Sequence, residues 1–192
     1  MIALQFALRR RMMSVGGAFE FTYTGQFTDK IEGANRVIKF TSSGILQVSA
    51  DVDVDVYLLA GGGGAIIWIS SFDGLLYSYK NGGSGGSINK RLKLNARQPY
   101  EITIGTGGTG HYARRAGTDW QLYGGTGGTT QAFGLTCTGG TGAVKSGSTN
   151  DPKNWYSGSN GSPYNGATNG GQGPSESTKN GGDGYVTITI PI

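Results

Sequence analysis

An all-β chain, a mostly antiparallel sandwich or barrel with glycine-rich loops, is the fold class this sequence predicts, and three observations carry it. Several stretches alternate apolar and polar residues with the period of two that a half-buried strand requires. Gly, Asn, Asp and Ser separate these stretches at short intervals, as turns do. Glycine takes 37 of the 192 positions, far above the roughly 7% of average usage. Yet the chain also holds 10 Tyr, 7 Phe and 3 Trp, too much apolar surface for a flexible linker.

Residues 1–13 have helical composition, with Ile2, Leu4, Phe6 and Leu8 available for packing. Gly16 and Gly17 then break the chain, so residues 1–17 read as a short N-terminal helix or anchor segment and residues 18–192 as a single domain. Val52, Val54, Val56 and Leu58 alternate with Asp51, Asp53, Asp55 and Tyr57. Tyr100, Ile102 and Ile104 repeat the pattern, as does the stretch from Tyr185 to Ile190, whose clean alternation predicts a strand paired inside a sheet. Shorter strands are expected at residues 35–41, 45–48, 66–70, 75–79 and 87–94, with Phe72, Asp73 and Gly74 in a hairpin turn. Between them glycines recur three apart: Gly82/Gly85, Gly107/Gly110, Gly124/Gly127, Gly139/Gly142 and Gly158/Gly161. An extended helix of three residues per turn puts such residues on one edge, and only glycine fits where edges touch. Stacked polyglycine II helices are therefore expected in these loops.

The functional inventory is thin. A net charge of +4 with scattered Lys and Arg gives no nucleic-acid footprint, and the start of the chain has neither a signal-peptide pattern nor a span long enough for membrane insertion. This fits assembly in a cytoplasm. The lone Cys137 forms no internal disulfide and reads as a buried strand residue, and the lone His111 builds no metal site. Gly105 to Gly110 satisfies a dinucleotide-loop spacing but no helix follows, and Val144 stands where a phosphate loop needs glycine before Lys145. Asp51, Asp53 and Asp55 read as a solvated strand face. No catalytic residue, metal or cofactor is expected. What remains is a set of aromatic residues in Gly/Asn/Ser/Thr-rich stretches: Tyr112, Trp120, Tyr123, Trp155, Tyr156 and Tyr164. Rigid amphipathic rings flanked by small hydrogen-bonding residues suit a receptor- or sugar-binding surface.

Residues 21–30 (FTYTGQFTDK) and 35–64, followed by PYEITIGTGG, GGTTQAFGLTCTGGTGA and NGGDGYVTITI in that order, resemble the glycine-rich domain of phage and prophage tail proteins and the adhesin tips of some phage tail fibres. The resemblance covers nearly the whole chain and implies a jelly-roll or TNF-like β-sandwich whose loops form polyglycine II helices. It further implies a virion tail component, assembled in the host bacterial cytoplasm. Such a component would contact a host-surface glycan or protein through its glycine-rich loops and dock through residues 1–17 onto a neighbouring virion protein, with a homotrimer as the family-level expectation. A purely structural tail or capsid-surface subunit without a ligand is the alternative. The chain departs from the family pattern at residues 65–80, which replace a longer glycine run.

Overall fold

The computed structural model describes residues 19–69, 76–114, 122–145, 155–163, 165–166, 169–170 and 180–192. The anchor expected at residues 1–17 and the turn expected at Phe72, Asp73 and Gly74 lie outside them. The described residues are all-β, with no helix. In chain order the strands are β1 (Phe21–Tyr23), β2 (Phe27–Glu32), β3 (Asn35–Phe40), β4 (Gly44–Val48), β5 (Val52–Leu59), β6 (Ile66–Ile69), β7 (Leu76–Lys80) and β8 (Ser87–Leu94). There follow β9 (Pro99–Thr103), β10 (His111–Arg114), β11 (Leu122–Tyr123), β12 (Thr130–Ala132), β13 (Leu135–Cys137), β14 (Val144–Lys145), β15 (Trp155–Tyr156) and β16 (Tyr185–Pro191).

Ten of these strands form two five-stranded antiparallel sheets, ordered β1-β4-β9-β12-β13 and β2-β3-β16-β5-β8. The period-two stretches behave as their sequence requires. Val186, Ile188 and Ile190 point inward while Thr187 and Thr189 do not, and Ile188 lies in register between Ile38 of β3 and Val56 of β5. The stretch from Tyr185 to Ile190 is thus paired inside a sheet as expected, and it is the middle strand there, with Asp55–Leu59 of β5 on one side. Both sheets contribute to one core, where Phe40, Leu46, Leu58, Ile102 and Ile188 are fully buried. Asp53 and Asp55 fall on the opposite, solvent-facing side of β5. Lys90, opposite Val56 on the edge strand β8, is exposed, and a charge on an edge discourages pairing with another chain.

One corner of the core is polar. Arg36 is 7% exposed and directs its guanidinium at Asp29, with Nε and Nη2 donating to the two carboxylate oxygens at 3.0 and 2.7 Å. Its Nη1 donates to the Phe19 carbonyl at 2.9 Å, and the rings of Phe19 and Phe21 lie 5.6 and 5.5 Å from the guanidinium carbon. A bidentate pair of this kind fixes geometry as well as energy. It ties β2 and β3 to the start of the other sheet.

The glycine segments pack on one another rather than forming separate loops. Residues 60–65, which continue β5, sit in the middle. Ala60 and Gly63 donate their N–H groups to Gly86 and Gly83 (2.9 and 2.8 Å), Gly61 and Gly64 to Gly128 and Gly125 (2.9 and 2.8 Å), and Gly62 to Gly182 (2.9 Å). Residues three apart share a neighbour, and consecutive residues point to different ones. The carbonyls follow the same rotation: Gly61 and Gly64 accept from Gly140 and Ala143, and Gly62 from Gly108. Asn169 closes the ring by donating Nδ2 to the Ala60 carbonyl at 2.8 Å.

This arrangement explains the local composition. A segment with backbone on every side needs glycine at every position, and residues 61–64 are Gly-Gly-Gly-Gly. A β-carbon on Gly63 would overlap the backbone of Thr141 and Gly142. Peripheral segments face solvent at every third residue, and there Thr106, Thr109, Thr126, Thr138 and Thr141 are exposed. Where an outer N–H meets no glycine segment, a side chain caps it. Gly107 and Gly110 donate to Asp183 and Asn180 (2.7 and 2.8 Å), Ser84 to Asn160 (2.9 Å) and Gly85 to Asn169 (2.8 Å). These backbone donors are thus paired in the way buried amides require.

Candidate functional site

Five of the glycine segments have a strand of the large sheets at one end and a strand of a small sheet at the other. Residues 60–65 lead from β5 into β6, residues 104–110 from β9 into β10, and residues 138–143 from β13 into β14. Residues 81–86 and 124–129 make the return journeys from β7 to β8 and from β11 to β12, and residues 157–162 follow β15 back along the bundle. The bundle therefore separates the large sheets from two three-stranded ones, β10-β6-β7 and β11-β14-β15. In the first, β10 runs parallel to β6 while β7 is antiparallel. Both strands emerge from ascending glycine segments that already run in the same direction.

This distal end holds most of the aromatic residues singled out from the sequence. Tyr123 of β11 and Tyr156 of β15 both lie opposite Val144 of β14, and directly opposed residues share a face. Tyr123 is 54% exposed and Tyr156 56%. With strands about 4.8 Å apart, the two backbones stand roughly 10 Å from each other across Val144. Lys145, on the other face of the same small sheet, is buried. Trp155 of β15 lies beside Lys145 in register, and Tyr112 of β10 lies opposite Ile67, itself opposite Tyr79 of β7. The second row repeats the order Tyr, aliphatic, Tyr at the level of the backbone. Tyr79 was not singled out from the sequence because it belongs to a short strand rather than a glycine-rich stretch.

Trp120 and Tyr164 lie outside the described residues. Tyr164 is flanked by Pro163, which accepts the Ser87 N–H, and Asn165, which donates to the Ser87 carbonyl. Those neighbours sit where β8 meets the bundle, at the end opposite Tyr123 and Tyr156.

No group of three or more His, Cys, Asp or Glu capable of holding a metal occurs among the described residues. Asp51 accepts from the Ala96 N–H and pairs with Lys93 at 3.0 Å, and these contacts hold its carboxyl below its ordinary range. His111 is exposed, and its backbone N–H donates to the Ala65 carbonyl. Cys137 is fully buried in β13, and burial pushes its thiol up to about 11. Since the thiolate is the reactive form, roughly one thiol in a thousand is ionised at pH 8. The native protein is therefore expected to resist a chromogenic disulfide reagent at pH 8 and to react fully in 6 M guanidinium. Rapid labelling of the native protein would contradict the buried placement.

A search of curated proteins returns no match to this sequence. The family model for a glycine-rich domain matches residues 41–191. That span contains all the packed glycine segments and both small sheets they carry, and the chain belongs to this glycine-rich domain family.

Proposed function

We propose that the protein is a recognition module, an adhesin of a phage tail, that presents its small sheets to a host-surface glycan or protein from the end of a stiff glycine stalk. The observation that carries this reading is the exposed row Tyr123–Val144–Tyr156 at the far end of the bundle. Rings fixed on short strands lose little conformational freedom on binding. On this reading the segments are polyglycine II helices, supported by hydrogen bonds that rotate among neighbours every three residues. The large sheets are a jelly-roll or TNF-like sandwich, a reading supported by their shared core and by the last strand in the middle of its sheet. Residues 1–17 dock the module onto a neighbouring virion protein, and the assembly is a homotrimer. The phage assignment itself rests on the ordered motif resemblance.

The test is adsorption of purified protein to intact cells of a panel of enteric bacteria. Truncating an exposed aromatic anchor typically costs 1 kcal/mol or more, about a fivefold loss of binding. Tyr123→Ala and Tyr156→Ala should each lose at least that much, while a triple Asp→Asn change at Asp51, Asp53 and Asp55 retains full adsorption. Equal adsorption by the tyrosine variants, or none by the wild type to any strain, would favour the structural-subunit alternative.

A further inference from the structure

We propose that a groove on the side of the sandwich, centred on Phe133, binds a neutral oligosaccharide chain. Two concavities of about 340 and 290 Å³ flank the β12–β13 turn and share Glu101, Phe133 and Gly134 along their common wall. The turn is a two-residue hairpin loop closed by Ala132 and Leu135, with both central residues at positive φ: 55° at Phe133 and 74° at Gly134. Hairpins of this kind favour Asn, Asp or Gly at the first position. A phenylalanine held there is a strained choice, and such strain gathers at functional sites. The turn places the Phe133 ring edge-on to Tyr100, with centroids 5.5 Å apart.

Beside this aromatic ridge lies a row of unused hydrogen-bonding groups. Gln131 is in register with Thr103 on one side and Thr136 on the other, and Glu101 follows on the same face of β9. All four side chains are exposed, and none makes a hydrogen bond among the described residues. An aromatic wall next to a carboxylate, an amide and two hydroxyls matches a sugar, whose ring has an apolar C–H face and a rim of hydroxyls.

Charge selects the class of sugar. Glu101 is the one charged side chain in the five strands of this sheet, whereas the opposite sheet carries Lys39, Asp53, Asp55, Lys90, Arg91 and Lys93. The one cation among the described lining residues, Lys93 of the larger concavity, is engaged by Asp51. Among the described residues that line the two concavities, a polyanion would meet the Glu101 carboxylate and no cation but Lys93. The inference goes beyond the distal site: the groove belongs to the large sheets and uses none of the tyrosines at the end of the bundle.

The test is isothermal titration with maltohexaose, cellohexaose, mannohexaose and chitohexaose, with a hyaluronan hexasaccharide as the anionic contrast. At least one neutral hexasaccharide should bind, and Gln131→Ala should weaken it tenfold or more while the melting temperature stays within the error of the wild type. Phe133→Asn should abolish binding; if that variant fails to fold, Gln131→Ala still decides. Tyr123→Ala should bind like the wild type, which separates failure of this site from failure of the distal one. Binding of hyaluronan alone, no binding by any neutral chain, or unchanged affinity in Gln131→Ala would overturn the proposal. So would a sedimentation profile showing a dimer that Gln131→Ala dissociates, because a second copy of the chain would then own this face.

Discussion

Gly63→Ala is expected to lower the melting temperature by roughly 6–12 °C, the shift that about 3 kcal/mol produces in a domain of this size. The magnitude follows from what the new methyl group would meet. Its neighbours are the carbonyl of Thr141 and the amide of Gly142, all backbone atoms closer than 3.0 Å to the added carbon. Overpacking a core costs about 1–3 kcal/mol when side chains can move aside, and more when they cannot. Here the obstructing atoms belong to a segment itself hydrogen-bonded on other sides, since Gly83 donates to the Thr141 carbonyl and Thr141 to that of Ser159. Gly140→Val should behave similarly, its β-carbon meeting the backbone of Gly83 and Ser84. Gly182→Ala is the control. Its nearest contacts would be the Asn169 Cβ at 3.3 Å and carbonyl oxygen at 3.5 Å, and it should shift the transition by no more than about 2 °C. Calorimetry on the three variants gives the comparison, and equal melting temperatures would contradict close packing of the bundle.

The second large effect is expected at the buried ion pair. Asp29→Ala leaves the Arg36 guanidinium, 9% exposed at its side chain, without the carboxylate that holds two of its nitrogens. Removing one partner of a buried pair costs about 3–5 kcal/mol, because the other charge stays desolvated. The Phe19 carbonyl and the two flanking rings remain and keep the loss near the lower end of that range. Replacing both residues, as Asp29→Leu with Arg36→Met, should restore most of the stability, since an apolar pair of similar volume needs no compensation. Urea denaturation of the single and double variants reads the difference directly. By contrast, breaking the exposed Asp51–Lys93 pair should leave the denaturation midpoint almost unchanged.

Much of this architecture was legible in the residues, for identifiable reasons. β5, β9 and β16 were readable because one face of each is buried and the other wet, which writes a period of two into the sequence. The packed glycine segments were readable because glycine at every third position marks the edge where backbones touch. β10, β11, β14 and β15 were not. They are two to four residues long, too short for any period, and their pairing is imposed by the glycine segments that deliver them. The central place of residues 61–64 also went unread, because a run of four glycines has no repeat within it. Only the neighbours, contributed by residues 83, 108, 125, 140 and 182, explain why no side chain is tolerated there. At the candidate site, composition found Tyr123 and Tyr156, while register alone brought them together across Val144 and set Tyr79 in line with Tyr112.

The position of the last strand bears on how the chain can reach its native state. β16 lies between β3 and β5, and the residues just before it supply the Gly182 carbonyl to Gly62, 120 positions earlier. Closing loops of that length comes before any reward from the contacts they permit, which makes folding slow and strongly cooperative. While the ribosome is still short of residue 185, β3 and β5 have no strand between them and the glycine core has an open side. The nascent chain is therefore expected to stay protease-sensitive until the segment carrying β16 emerges, and then to gain sandwich and bundle in one step.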